Sequence, residues 1–259
     1  MIRCRGMGKH ERKEEILEHI SHKRVCSVDE LQDRFSVSLS TIHRDLNLLE
    51  REGRINKFYG KVTIKEESEL FRSRIRVNVD LKRRIARKAL SFIENGDCVF
   101  LDNSTTTYYL AEALCQSSYR NVMVVSNSAL VIDLFLKDEH IGFVSTGGKL
   151  NKDFDSFVGP QALKTVDDFN GNKYFFSTLS VSKYGGISDV YSPDEIAVKT
   201  KMYRNAREAI LLVDSTKFGR TSTVKWFELR DVKNIITDSK IEEQTLNEFR
   251  KMGINIVAA

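Results

Sequence analysis

Residues 37–59, VSLSTIHRDLNLLEREGRINKFY, carry the pattern of a DNA-reading helix followed by a short β-hairpin. Ser38 is placed to cap the helix, because its hydroxyl can accept a backbone N–H that has no partner in a first turn. Gly53 supplies the residue that best tolerates the left-handed conformation ending many helices. Between them about 13 residues have helical spacing, with Ile42, Leu46 and Leu49 at i, i+4 and i+7 sharing one face. Ser40, Arg44, Asn47 and Arg51 fall on the opposite face. That face suits a major groove: Arg can bridge two acceptors on guanine, Asn can bridge adenine, and Ser or Arg can hold phosphate. An ordinary amphipathic surface helix has the same spacing, so the neighbouring segments decide between the two readings.

Upstream, Lys9–Ser21 has a helical stripe of Ile16, Leu17 and Ile20. Ser27-Val28-Asp29-Glu30 has the spacing of a capping box, in which serine and glutamate satisfy each other's backbone donors. Leu31 and Phe35 give the second helix its apolar face, and Ser36-Val37-Ser38 makes a short turn into the third. Helix, helix, tight turn, helix is a helix-turn-helix. Beyond Gly53, Arg54–Tyr59 and Val62–Ile64 read as two strands around Gly60-Lys61, which makes the unit winged. With Ser38, Thr41 and His43, and with Lys57, Tyr59 and Lys61 of the wing, the exposed face completes the expected DNA-contact set.

Charge is distributed to match. Residues 1–65 hold 14 Lys+Arg against 10 Asp+Glu, whereas the rest of the 259-residue chain holds 27 against 26. The excess positive charge lies where phosphates would be approached, although a solvated basic face has the same signature. No run of about 18 apolar residues occurs, and MIRCRGMGKHERKEE has no apolar core, so neither a membrane span nor a secretory signal is expected. A cytoplasmic location is the corresponding expectation. Cys4, Cys26, Cys98 and Cys115 are far apart with no CxxC or Cys/His spacing, so structural thiols are expected rather than a metal site or disulfides.

Val37-Ser38, Thr41 to Leu46, Leu49-Glu50, Gly53 and Tyr59-Gly60 together resemble the amino-terminal signature of the DeoR-type bacterial transcription regulators. His43 stands where that family usually has Arg, and Lys61 where the wing usually has a second Gly. Both differences bear on which operator is read.

Residues 66–80 are charged and lack Gly and Pro, as in a partly helical connector. From Leu81 to residue 259 helices alternate with short apolar runs: helix Leu81–Ile93, strand Cys98–Leu101, helix Thr107–Cys115, strand Val122–Ser126, helix Ser128–Leu136 and strand Gly142–Ser145. Strands at Ala209–Val213, Ile235–Asp238 and Ile254–Val257 and a helix around Leu246–Met252 complete the series. Alternation of this kind implies a parallel sheet covered by helices, with ligands at the carboxyl ends of the strands.

Those ends are polar. Asp102-Asn103-Ser104-Thr105-Thr106-Thr107 leaves a strand and enters a helix, which reads either as a phosphate cradle at a helix N-terminus or as a Ser/Thr-rich capping turn. Asn127-Ser128 and Thr146-Gly147-Gly148 repeat the pattern, as does Asp214 to Gly219 with the cation Lys217. Ser192-Pro193-Asp194-Glu195 has the spacing of a second capping box with Pro at the first helical position. Lys199 on that helix reads equally as a pocket cation or a solvated lysine. Trp226 reads as packing.

This half resembles the DeoR carboxy-terminal sensor domain at Gly96–Leu114, Ser126–Ser128, Gly147-Gly148, Glu195–Met202 and Asp214–Gly219. The resemblance implies a parallel-sheet α/β domain similar to ribose-5-phosphate isomerase, with a phosphorylated sugar as effector. It carries the effector's hydroxyl loop onto Ser104–Thr107 and its lysines onto Lys199 and Lys217. In place of the isomerase-like acidic loop, Ser177–Val181 offers no carboxylate for proton transfer. The expectation is therefore a sugar-phosphate-responsive repressor of a carbohydrate operon, with no cofactor, acting on double-stranded operator DNA as a dimer or tetramer. An isomerase-like enzyme and an architectural DNA-binding protein are the alternatives.

Overall fold

The computed structural model of the chain describes residues 9–23, 25–51, 55–58, 60–64, 74–189 and 192–259. The chain divides into two compact units, Met1–Leu70 and Phe71–Ala259. Gly53, Arg54 and Tyr59, the side chain of Arg51 and most of the expected connector lie outside the described residues.

The first unit contains α1 (Lys9–Lys23), β1 (Cys26–Ser27), α2 (Val28–Phe35), α3 (Leu39–Arg51), β2 (Ile55–Phe58) and β3 (Lys61–Ile64). The apolar stripes of the three helices meet: Ile16, Ile20, Leu31, Phe35, Ile42, Leu46 and Leu49 form one buried cluster with Cys26, Ile55 and Val62. Ser36 ends α2 in the left-handed region (φ 51°, ψ 40°), which turns the chain sharply. Ser38 then starts α3, its Oγ accepting the Thr41 N–H at 3.2 Å and its carbonyl the Ile42 N–H at 3.1 Å. Strands β2 and β3 pair antiparallel as the expected wing, closing between Phe58 and Lys61. Strand β1, absent from the sequence reading, extends this sheet by pairing Cys26 with Val62. Half of the first capping box forms: Ser27 Oγ accepts the Glu30 N–H at 3.1 Å, while the Glu30 carboxylate turns to Lys23 at 2.5 Å and His19 at 3.2 Å.

The second unit runs α4 (Val79–Leu90), β4 (Cys98–Leu101), α5 (Thr105–Cys115), β5 (Met123–Ser126), α6 (Ile132–Phe135), β6 (Gly142–Ser145), β7 (Lys149–Asn151) and β8 (Ser156–Val158). It continues with α7 (Pro160–Asp167), β9 (Gly171–Phe176), β10 (Ser180–Ser182), β11 (Gly186–Asp189), α8 (Pro193–Arg204), β12 (Ala206–Leu212), β13 (Val224–Phe227), β14 (Asn234–Thr237), α9 (Glu243–Lys251) and β15 (Asn255–Ala258). Seven strands form one sheet in the order β15-β14-β12-β9-β4-β5-β6, all parallel. Alternate residues feed opposite faces, as the two-residue period of a strand requires. Phe100, Tyr174, Phe176 and Leu211 join Val198 and Met202 of α8, whereas Val99, Leu101, Phe175, Ile210 and Leu212 join Ile85 of α4 and Leu110 of α5. Both faces are buried, which is why the strands read as short continuous apolar runs.

Three sequence expectations change. The central strand β9 was not foreseen, because Asn172 and Lys173 at its amino end interrupt the apolar run. The helix expected over Ser128–Leu136 shrinks to Ile132–Phe135, because Ser128 bridges to Ser156 and the Ala129 N–H goes to the Asp155 carbonyl at 2.8 Å. Pro193 does open α8, but no capping box forms: Ser192 makes no side-chain cap, and Glu195 is buried and points inward.

Candidate functional site

On the first unit, Ser38, Ser40, His43, Arg44 and Asn47 are exposed along α3, Thr41 is half-buried beside them, and no acidic residue occupies the first turn of the helix. An exposed face with a positive helix start suits a polyanion. The wing is tied to this helix, since Lys57 Nζ donates to Asn47 Oδ1 and lies 2.8 Å from Glu50 Oε2. Lys61 is exposed on the neighbouring strand. Asp45, also on α3, is only 1% exposed and pairs with Arg12 of α1 at 2.6 Å. Thus α3 carries exposed polar residues on one side and a buried ionic anchor on the other.

Contrary to the reading from spacing, the fold does gather a His/Cys cluster: ligand atoms of His19, Cys26 and Glu30 lie within 4.8 Å of one another. Glu30 there is already held by the Lys23 ammonium and by His19. Burial pushes the Cys26 and Cys98 thiols up, and that of Cys115 to about 12, so none has the character of a reactive thiolate.

In the second unit the chain leaves β4 toward β5 and β6 on one side, then returns to place β9 on the other side of β4. The sheet's strand order therefore reverses between β4 and β9, and a crevice at the carboxyl ends of such a pair is the usual ligand position in open α/β sheets. Asp102 sits there, fully buried. Its Oδ1 accepts the Ser104 N–H at 3.0 Å and lies 3.0 Å from Thr107 Oγ1, and its Oδ2 accepts the Ser177 N–H at 3.1 Å. Ser104 caps α5 by accepting the Thr107 N–H at 3.3 Å. The hydroxyls of Ser104 and Thr107 are thus spent within the loop, while the N–H groups of Thr105 and Thr106 keep the open valence of a helix start.

Lys199 projects from α8 toward Asp102 and is 7% exposed. Its ammonium lies 3.3 Å from Asp102 Oδ2 and 3.2 Å from Asp189 Oδ2, donates to the Ser177 carbonyl at 3.3 Å, and rests 5.3 Å from the centre of the Trp226 ring. Burial works to lower its pKa, but Asp189, Asp102 and Glu195 together outweigh burial and the net direction is upward. Lys199 is therefore a buried, ion-paired cation and not a solvated lysine. Glu195, one helical turn away, receives Ser156 Oγ and, at 3.1 Å, Asn151 Nδ2 on its Oε1. Burial first, and the Asp102 charge last, push its carboxyl up to about 7 against Ser156, Lys199 and Asn151.

The remaining expected residues spread along the sheet. Asn127 is buried at the end of β5, donating to the Phe157 carbonyl at 3.4 Å. Thr146 is buried at the end of β6 and leads into Gly147 and Gly148. Gly148 has φ +109°, and a Cβ there would meet the Val158 carbonyl at 2.7 Å, so no side chain fits. Asp214 caps the turn Ser215–Lys217 after β12, accepting the Thr216 N–H at 3.0 Å. Four strand intervals separate β12 from β6, about 19 Å at about 4.8 Å each. One small ligand does not span that width: Asp102, the Ser104–Thr107 loop and Lys199 meet at β4 and β9, whereas Lys217 and Thr146–Gly148 lie farther along the sheet on either side. Sequence reasoning gave no site role to Glu195, Asp189 or Tyr174, while its reading of Trp226 as packing agrees with that ring's contacts with Phe176 and Phe227. Only Glu195 left a signal, because residues four apart on a helix share a face and Lys199 was already a candidate.

A winged helix-turn-helix joined in one chain to an α/β unit with a buried polar cluster at its strand ends is the architecture of a DNA-binding regulator. The family description "DeoR-like helix-turn-helix domain" matches residues 12–68 and "DeoR C terminal sensor domain" matches residues 77–239. The "Uncharacterized HTH-type transcriptional regulator YulB" of Bacillus subtilis (strain 168) is 32% identical over 96% of each chain. The "Putative aga operon transcriptional repressor" of Escherichia coli O157:H7 is 28% identical over 98% of this chain and 95% of its own. The chain belongs to the DeoR family of transcriptional regulators. Among solved structures, ribose 5 phosphate isomerase A from Neisseria gonorrhoeae is a distant and partial likeness, with 16% identity and a TM-score of 0.40 over 54% of this chain and 53% of its own. Among the described residues no helix is long and apolar enough to cross a membrane.

Proposed function

We propose that the protein represses a carbohydrate-utilisation operon and is controlled by a phosphorylated sugar bound in the crevice between β4 and β9. The observation that carries this reading is the loop 102–107: Asp102 is fully buried and fixes it to β9, leaving the N–H groups of Thr105 and Thr106 at the start of an 11-residue helix. Such a helix start attracts an anion of charge near −2, and a partly dry crevice strengthens the attraction. The control of an aga operon by a relative supports the carbohydrate assignment. Residues 1–65 would bind operator DNA through Ser38, Ser40, Thr41, His43, Arg44, Asn47, Arg51, Lys57, Tyr59 and Lys61. Residues 66–80 would act as the connector and 81–259 as the sensor. One winged unit reads only a few base pairs, so at least a dimer on repeated half-sites is required for specificity in a genome.

Thermal unfolding with a panel of sugar phosphates tests the reading. A ligand of the folded state raises the midpoint, and its unphosphorylated parent at equal concentration should not.

A further inference from the structure

We infer that Glu195 decides which sugar is accepted, its uncommitted Oε2 receiving a hydroxyl hydrogen from the ligand; this rests on the reading of the crevice as a sugar-phosphate site. Oε1 is occupied by Ser156 and Asn151, but Oε2 is buried without a partner. Asn127 Oδ1, Ser128 Oγ, Tyr174 Oη and Trp226 Nε1 are buried and unpartnered as well. These groups belong to one neighbourhood. Ser128 bridges to Ser156, which holds Glu195; Tyr174 feels the charges of Asp102, Asp189 and Glu195; and the Trp226 ring faces Lys199.

Buried polar groups in folded proteins are nearly always hydrogen-bonded, so several orphans around one crevice point to a missing partner that is itself polar. The chemistry of that partner follows from the set. Glu195 Oε2 and Asn127 Oδ1 need donors, Trp226 Nε1 needs an acceptor, and Ser128 and Tyr174 can serve as either. A hydroxyl donates and accepts, so a polyhydroxylated chain is the chemistry that matches groups of this kind. A phosphate offers mainly acceptors and would face Asp102, Asp189 and Glu195 against the single Lys199 ammonium. The phosphate therefore lies away from Glu195, toward Thr105 and Thr106, and the carbohydrate end lies on Glu195.

The charged and titratable groups that face Glu195 are Lys199 on its own helix, Asp102 at the end of β4 and Tyr174 in β9, with Asp189 of β11 behind Lys199. Within that surround the glutamate titrates near neutrality, at about 7. A hydroxyl that donates to the carboxylate favours its ionised form, so binding weakens as pH falls below that value. The ligand's own phosphate also titrates nearby, but it does so identically with a variant lacking the carboxylate.

Calorimetric titration of the full chain tests this with ribose 5-phosphate, fructose 6-phosphate, glucose 6-phosphate, their monodeoxy analogues and their unphosphorylated parents. Wild type and Glu195→Gln are compared at pH 6 and pH 8, with the Trp226-monitored unfolding transition of the second unit as the check on folding. For the best-binding sugar phosphate, Glu195→Gln should weaken binding at least tenfold at pH 8 and abolish the extra loss that wild type shows at pH 6. One monodeoxy analogue should bind at least tenfold more weakly than its parent to wild type and about equally to the variant. Equal ratios in both proteins across all analogues, with equal pH dependence, would overturn the inference and leave the sugar-phosphate reading intact. Unphosphorylated sugars that bind as tightly as phosphates, with the Glu195-dependent pattern, would overturn that reading and support the inference. Absence of binding by every compound would overturn both.

Discussion

Asp102 Oδ2 accepts the backbone N–H of Ser177 at 3.1 Å, joining the carboxyl ends of β4 and β9 where the strand order of the sheet reverses. The same buried carboxylate orders the Ser104–Thr107 loop and faces the Lys199 ammonium, so it links three parts of the crevice.

Asp102→Ala removes one partner of a buried cation and orphans the Ser104 and Ser177 N–H groups. A loss of about 3–5 kcal/mol in stability of the second unit is expected. Trp226 is the single tryptophan of the chain and lies in this unit, so its fluorescence during urea unfolding measures the effect. Asp102→Asn should lose less, because the amide oxygen can still accept.

Arg44 is exposed on α3. Arg44→Ala should weaken specific operator binding by about 1–3 kcal/mol with helix content unchanged. Fluorescence anisotropy with promoter DNA and a scrambled control measures this, and unchanged specific affinity would mean that the groove-facing register is misassigned.

Arg12→Ala leaves Asp45 buried and uncompensated, with its Oδ1 already lacking a partner. Loss of a partner from such a pair destabilises by about 3–5 kcal/mol, enough to unfold a unit of this size. DNA binding should be lost while the Trp226 unfolding transition is unmoved. Retention of full DNA affinity would show that the pair is dispensable.

A pH dependence follows from Glu195. Its folded-state pKa lies above the ordinary glutamate value, so between the two the folded protein holds the proton more tightly than the unfolded chain. Ligand-free stability should be greatest at and below the ordinary glutamate range, fall as pH rises toward about 7, and then level off. The raised value corresponds to about 3 kcal/mol at most. Glu195→Gln should remove this decline between pH 5 and pH 8 in Trp226-monitored unfolding, and equal slopes in the two proteins would refute it.

Much of the first unit was legible because its signals are local. Ser38 caps α3 as its position indicates, and the stripe Ile42, Leu46, Leu49 meets the core as its spacing requires. Strand β4 was placed correctly because burial on both faces leaves an unbroken apolar run, and the half-buried edge strand β6 was placed correctly from its shorter apolar pair Phe143-Val144. The readings that failed were overruled by tertiary contacts. Ser192 to Glu195 satisfies the local rule for a cap, yet Glu195 is drawn inward by Ser156 and Asn151 of the β7–β8 hairpin. Asp189 and Trp226 come to Lys199 through the small sheet β10-β11-β13, in which the β11–β13 pairing joins residues more than 30 positions apart. The statement that proton-active carboxylates are missing near Ser177 held for the loop itself but not for its surroundings, where Asp102 and Asp189 both face Lys199.

The most direct test of the whole account is the affinity of the full chain for DNA from its own promoter region, measured by anisotropy against tetrose, pentose and hexose phosphates. At least one of them should change Kd by fivefold or more, in the range of about 5–150-fold typical of coupled sites. Its unphosphorylated parent should not, and Thr105→Pro, which removes one of the two open N–H groups at a first helical position that tolerates proline, should bind DNA normally but respond less. A Kd that no sugar phosphate alters, at concentrations that saturate the protein in calorimetry, would contradict the account.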